Sequence, residues 1–253
     1  MDQDQDQQLD VTVDQEELRE WSPPLTDSGF NLTTHGLECI PQELLDVECS
    51  KLYIEFLLQF MEPATEGPDS DNIAVTTHTV LKADFVTPHD QYKGVRIAMN
   101  LDTRDFYPEL GVLGVQFRTY SGKTTSSIRT FVFPLHGSVK VGQILEAITS
   151  KRMQHFSFDY DANDKTCGCT DFVTQAFYQL QVRGYVSPQV ESILPEEPQM
   201  PSGLTAYDIL SMAFNRQRGH IERSIGRGKF LCYTRVEEPY MGYDDDTASM
   251  EVD

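Results

Sequence analysis

The sequence predicts a single α+β domain in which helices pack on a mainly antiparallel sheet. Three observations carry this. Apolar residues recur at gaps of three and four up to about residue 61, alternate between 75 and 135, then return to helical spacing. The alternating stretches are joined by short loops, which suits antiparallel neighbours. The chain has 253 residues, 39% hydrophobic and 24% charged. A domain of that size removes about 70–75% of its unfolded surface from water, so its core needs no disulfide or metal.

The elements follow in order. Residues 1–36 read as an acidic, largely disordered segment containing the loops Ser22-Pro23-Pro24 and Asp27-Ser28-Gly29. Pro41 suits a first helical turn. Leu44, Leu45, Leu52, Tyr53, Phe56, Leu57 and Phe60 then predict a helix over 41–61, stopped by Pro63 and a polar loop over 63–72. Four strands are expected next: Val75–Val86, then runs carrying Val95, Ile97, Met99 and Leu101; Leu113, Val115 and Phe117; and Phe131, Phe133 and Leu135. A turn at Ser121-Gly122-Lys123 would fold them into a meander. Ser138 is positioned to cap a helix through Val141, Ile144, Leu145 and Ile148. His155–Tyr160 reads as a short strand and Asp161–Lys165 as a turn. Phe172, Val173, Ala176, Phe177 and Leu180 mark an amphipathic helix ended by Gly184. Val190, Ile193 and Leu194 suggest a helical turn, Thr205–Arg216 a further helix and Lys229–Val236 a closing strand. The folded body is expected over 37–236, with a disordered acidic tail over 237–253.

The net charge is −20. Residues 1–20 and 237–253 each carry −7 of it, which leaves −6 for the body. These ends read as solubilising segments. A strongly acidic chain lacks the broad basic face that phosphate-backbone contacts need, which argues against nucleic acid. No apolar run is long enough to span a membrane, and the acidic, polar start is unlike a signal peptide. Five cysteines at irregular spacing then suit reduced thiols in the cytoplasm or nucleus.

Chemistry is suggested at one place. Thr166-Cys167-Gly168-Cys169-Thr170-Asp171 sets a thiol at the expected start of a helix. Backbone N–H groups and the positive dipole end favour an anion there, which lowers a thiol's pKa. A nucleophile also needs a base. Six histidines are available, and His78 is the leading candidate because it lies within an expected strand. His136 and His155 follow. Against this stands the ordinary behaviour of cysteine as a small buried hydrophobe. Cys167-Gly168-Cys169 is too tightly spaced for the usual zinc pairing, the Asp244–Asp246 run lies in a tail, and Ser224–Lys229 lacks the spacing of a phosphate loop. No metal or cofactor is expected.

The order of Thr77-His78-Thr79, Val95-Arg96-Ile97, Val141-Gly142-Gln143-Ile144-Leu145, Phe156-Ser157-Phe158 and Gly168-Cys169 resembles a domain of unknown function found in fungal proteins, the DUF7770 family. The likeness covers a core of about 74–186. Thr79 stands where that family usually has Trp, and Thr170-Asp171-Phe172 where it has Arg and two aromatics. A His-bearing strand preceding a Cys that opens a helix also resembles circularly permuted papain-like folds of the NlpC/P60 and lecithin–retinol acyltransferase type. That resemblance implies Cys169 as nucleophile and His78 as base.

Two functions are therefore expected. The first is a non-catalytic binding or accessory protein for an unidentified small molecule or protein. The alternative is a Cys/His-dependent hydrolase or acyltransferase acting on an amide or ester, with a role in specialised metabolism.

Overall fold

The structure, a computed structural model, describes residues 29–58, 77–102, 109–160, 166–194, 200–215, 219–222 and 226–236. Residues 1–28 of the segment expected to be acidic and disordered over 1–36 lie outside these residues, as do the 237–253 tail, the 63–72 loop and the 161–165 turn. The chain enters through β1 (Phe30–Asn31), the short helices α1 (Leu32–His35) and α2 (Gln42–Leu45), and β2 (Glu48–Leu58). Next come β3 (Thr77–His89), β4 (Tyr92–Leu101), β5 (Gly111–Arg118), β6 (Ser127–Lys140) and α3 (Val141–Thr149). Three two-residue strands follow, β7 (Phe156–Ser157), β8 (Asp159–Tyr160) and β9 (Thr166–Cys167), before α4 (Cys169–Val182). The remainder is β10 (Ser192–Leu194), α5 (Ala206–Leu210), β11 (Met212–Asn215), β12 (Gly219–Glu222) and β13 (Lys229–Phe230). No helix among the described residues is long and apolar enough to cross a membrane.

Seven strands form one antiparallel sheet in the order β1-β5-β4-β3-β2-β6-β10. The α+β expectation holds. Several local expectations do not, and each fails for a physical reason.

β2 is a strand where a helix over 41–61 was expected; among the described residues of that stretch only Gln42–Leu45 is helical. All six residues from Leu52 to Leu57 are buried. β2 sits between β3 and β6 with both faces covered, so alternation disappears and chance gaps of three and four imitate a helix. The folded body also begins before residue 37. Phe30 and Leu32 are buried, and β1 pairs with β5 at the sheet edge.

The expected four-strand meander is broken at its last turn. β3, β4 and β5 are consecutive neighbours, but β6 joins β2 instead of β5. Four antiparallel steps separate β5 from β6, so these two strands run parallel. Residues 119–126 must then cross from the Arg118 end of the sheet, level with Gly94 and Asp84, to the end where Ser127 pairs with Leu57. The Ser121-Gly122-Lys123 turn belongs to this crossover.

Smaller corrections concern caps and ends. Lys140, not Ser138, precedes α3, and its backbone N–H donates to the Gln143 side chain at 2.8 Å. Residues 192–194 pair with β6 as a strand. Thr205 caps a helix that ends at Leu210, after which the chain extends as β11. The closing strand spans only Lys229–Phe230. Gly184 does close α4, with φ of +72°.

The two faces of the sheet are buried differently. α3, α4 and α5 cover one face, with Leu52, Ile54, Phe56, Leu81, Ile97, Phe131 and Phe133 meeting Phe172, Ala176 and Phe177 in a continuous apolar core. The crossover covers the other, where Tyr53, Glu55, Lys82, Asp84 and Thr130 are buried.

Candidate active site

α4 begins at Cys169, and its first ladder bond runs from the Phe172 N–H to the Gly168 carbonyl at 2.8 Å. Gly168 occupies the cap position with φ of +130°. Side chains rarely adopt that backbone. A Cβ there would also lie 3.0 Å from the Phe156 ring and 3.2 Å from the Gly228 Cα. Glycine at 168 thus lets the chain turn sharply into the helix, and it places the thiol in the first turn with no capping side chain ahead of it.

α4 packs against β3 and β4. Thr79 of β3 is fully buried, and its hydroxyl lies 2.8 Å from that of Thr170. That contact draws the start of the helix onto the strand that carries His78.

The structure brings His78 and Cys169 together. The imidazole hydrogen-bonds the thiol. The His78 Nε2 is buried and has no hydrogen-bond partner. Burial opposes ionisation of Cys169 and is the largest single influence. The hydrogen bond and charge of His78, with smaller bonds from the Thr79 backbone and the Thr170 hydroxyl, outweigh it and bring the thiol down to about 7. Cys49 shows the opposite case. In β2, burial and then the Asp84 charge push its thiol up to about 12. The Cys167 thiol contacts the Arg227 carbonyl at 3.5 Å. His136 is exposed at the end of β6, and His155 is half-buried just before β7. All five cysteines are unbridged. Among the described residues no group of three His, Cys, Asp or Glu could hold a metal ion.

A strap over 226–236 holds the start of α4 in place, and it was not visible in the sequence. Asp171 accepts from the Gly228 N–H at 3.0 Å and pairs with Arg235, which also donates to the Gly228 carbonyl at 2.7 Å. One turn on, the Gln175 amide binds both backbone groups of Val236, at 2.9 and 3.0 Å. Another turn on, Gln179 donates to the Tyr233 hydroxyl at 2.9 Å. Asp171, Gln175 and Gln179 recur every four residues, so they form one polar row along α4. All three are buried. Their spacing was the available signal, but an amphipathic reading assigns such a row to solvent.

The family model described as "Domain of unknown function (DUF7770)" matches residues 70–231, well over half of the chain. The chain belongs to the DUF7770 family. Neither a curated protein nor a solved structure matches it. The matched span takes in β3 with His78, the opening of α4 and the first part of the strap, so the candidate site lies within the DUF7770 domain apart from the Tyr233, Arg235 and Val236 ties.

Proposed function

We propose that this DUF7770 protein is a thiol-dependent hydrolase or acyltransferase acting on an ester or amide. The observation that supports the reading best is the hydrogen bond from His78 to a Cys169 thiol whose pKa lies near neutrality. Such a thiol is substantially ionised at pH 7, where an ordinary one is not. The chain order, a His-bearing strand followed by a Cys-opened helix on an antiparallel sheet, further supports a permuted papain-like reading.

In this reading the Cys169 thiolate attacks the acyl carbon. A C–S bond forms, and the developing oxyanion is stabilised by N–H groups of the first turn of α4. Collapse breaks the bond to the leaving group, which departs with the proton held by His78. The resulting thioester is attacked by water or another hydroxyl or amine. His78 takes that nucleophile's proton, the C–S bond breaks, and the thiol is regenerated. Thr79 and Thr170 act as positioning residues for the sulfur.

The test uses p-nitrophenyl acetate as ester probe. An acetyl adduct on Cys169 is expected by peptide mapping. Cys169→Ala should abolish nitrophenol release without altering the melting curve, while Cys167→Ala should retain it. Full release by Cys169→Ala would sink the reading and leave the non-catalytic binding protein.

A further inference from the structure

On the crossover face of the sheet, two arginines stand together without an acid. The register places Lys82, Arg96 and Gln116 in one row across β3, β4 and β5. Asp84, Gly94 and Arg118 form the next row on the same face. The nearby carboxylates are already engaged. Asp84 pairs with Lys82 and accepts from the Tyr53 hydroxyl and the Gly122 N–H, each at 2.7 Å. The charge of Glu55 is the smallest of the influences on Arg96, and the Glu55 oxygens accept from the Thr124 N–H at 2.7 Å and the Thr124 hydroxyl at 2.6 Å.

The direct contacts of the arginines are with neutral groups. Arg96 donates to the Gln116 amide oxygen, and Arg118 lies 5.8 Å from the centre of the Tyr120 ring. Neither forms an ion pair among the described residues. The Nε of each is buried and has no hydrogen-bond partner. Burial, then the charge of Arg118, hold the Arg96 guanidinium below its usual pKa. A buried donor without an acceptor is costly, more so on a charged group. Two of them on side chains that repel each other are what an absent anion would relieve.

We propose that Arg96 and Arg118 form a binding site for a small oxyanion, a phosphate or carboxylate group of a soluble ligand, on the face of the sheet opposite α4. The Nε–H and neighbouring Nη–H of a guanidinium form a planar fork matched to two oxygens of such a group. An anion between the two side chains engages both orphaned donors and screens the two charges. The site is independent of Cys169.

The experiment follows the arginine Nε–H resonances of the full chain by NMR as inorganic phosphate is added at constant ionic strength. The Arg96 and Arg118 signals should shift saturably, and the melting temperature should rise with phosphate because the ligand binds only the folded state. Arg96→Gln and Arg118→Gln should each weaken binding at least tenfold. Arg118→Lys, which keeps the charge but loses the fork, should weaken it as well. Cys169→Ala should bind as the parent does. Succinate titrated the same way separates the ligand classes: a shift with succinate alone retains the site and assigns it to carboxylates. No response to either probe, or a response that survives both glutamine variants, overturns the proposal.

Discussion

One sheet has its two faces buried by opposite means. On the helical face, apolar side chains of α3, α4 and α5 meet those of the strands, and shape complementarity supplies the stability. On the crossover face, a segment without regular structure lies over Glu55, Lys82 and Asp84, fixed by hydrogen bonds from Gly122 and Thr124. Apart from the small Leu57, Val80 and Ala98 cluster, that face has little apolar surface to bury. The difference follows from connectivity. A helix satisfies its own backbone and needs only a greasy surface beneath it, whereas an irregular crossover needs partners for its N–H groups. Buried carboxylates provide them, and Lys82 offsets part of their charge.

Two substitutions should break the comparison most strongly. Lys82→Met keeps volume but leaves Asp84 buried without its cation, a loss of about 3–5 kcal/mol. Phe177→Ala, which cuts a contact with Phe133 across the helical face, should cost a similar ~3–5 kcal/mol. Their footprints should differ. Hydrogen exchange is expected to deprotect Gly122 and Thr124 in the first variant and α4 amides in the second. The same amides opening in both would mean that the faces are not separately held. The smallest effect belongs to the seam between α4 and β3. Thr79→Val removes one hydroxyl contact, about 0.5–1.5 kcal/mol in urea melts, and leaves the backbone bond from Thr79 to Cys169 in place.

What the sequence made legible was local. A cysteine at a helix start and a histidine in a strand could be marked because each depends on nearby residues, and the structure places the two side chains in contact. The polar row Asp171, Gln175 and Gln179 could not be assigned, because its partners lie roughly 60 residues away on the strap. β2 was illegible for a related reason: burial on both faces erases the period that identifies a strand. Arg96 alternates with apolar neighbours and reads as solvent-facing. Only the path of residues 119–126 turns its face of the sheet into interior.

The ionisation of Cys169 has a definite sign. Its folded pKa of about 7 lies below that of an ordinary thiol, about 8.5. It therefore contributes stability fully present above pH ~9 and lost as pH falls through about 7. The rate of iodoacetamide labelling at Cys169, followed from pH 5 to 10 in the parent and in His78→Asn, tests the central claim most directly. The parent should show a midpoint near pH 7. In the variant, burial acts without the imidazole, and the midpoint should move above the ordinary thiol value of about 8.5. A parent midpoint already above that value, or one that His78→Asn leaves in place, would contradict the account.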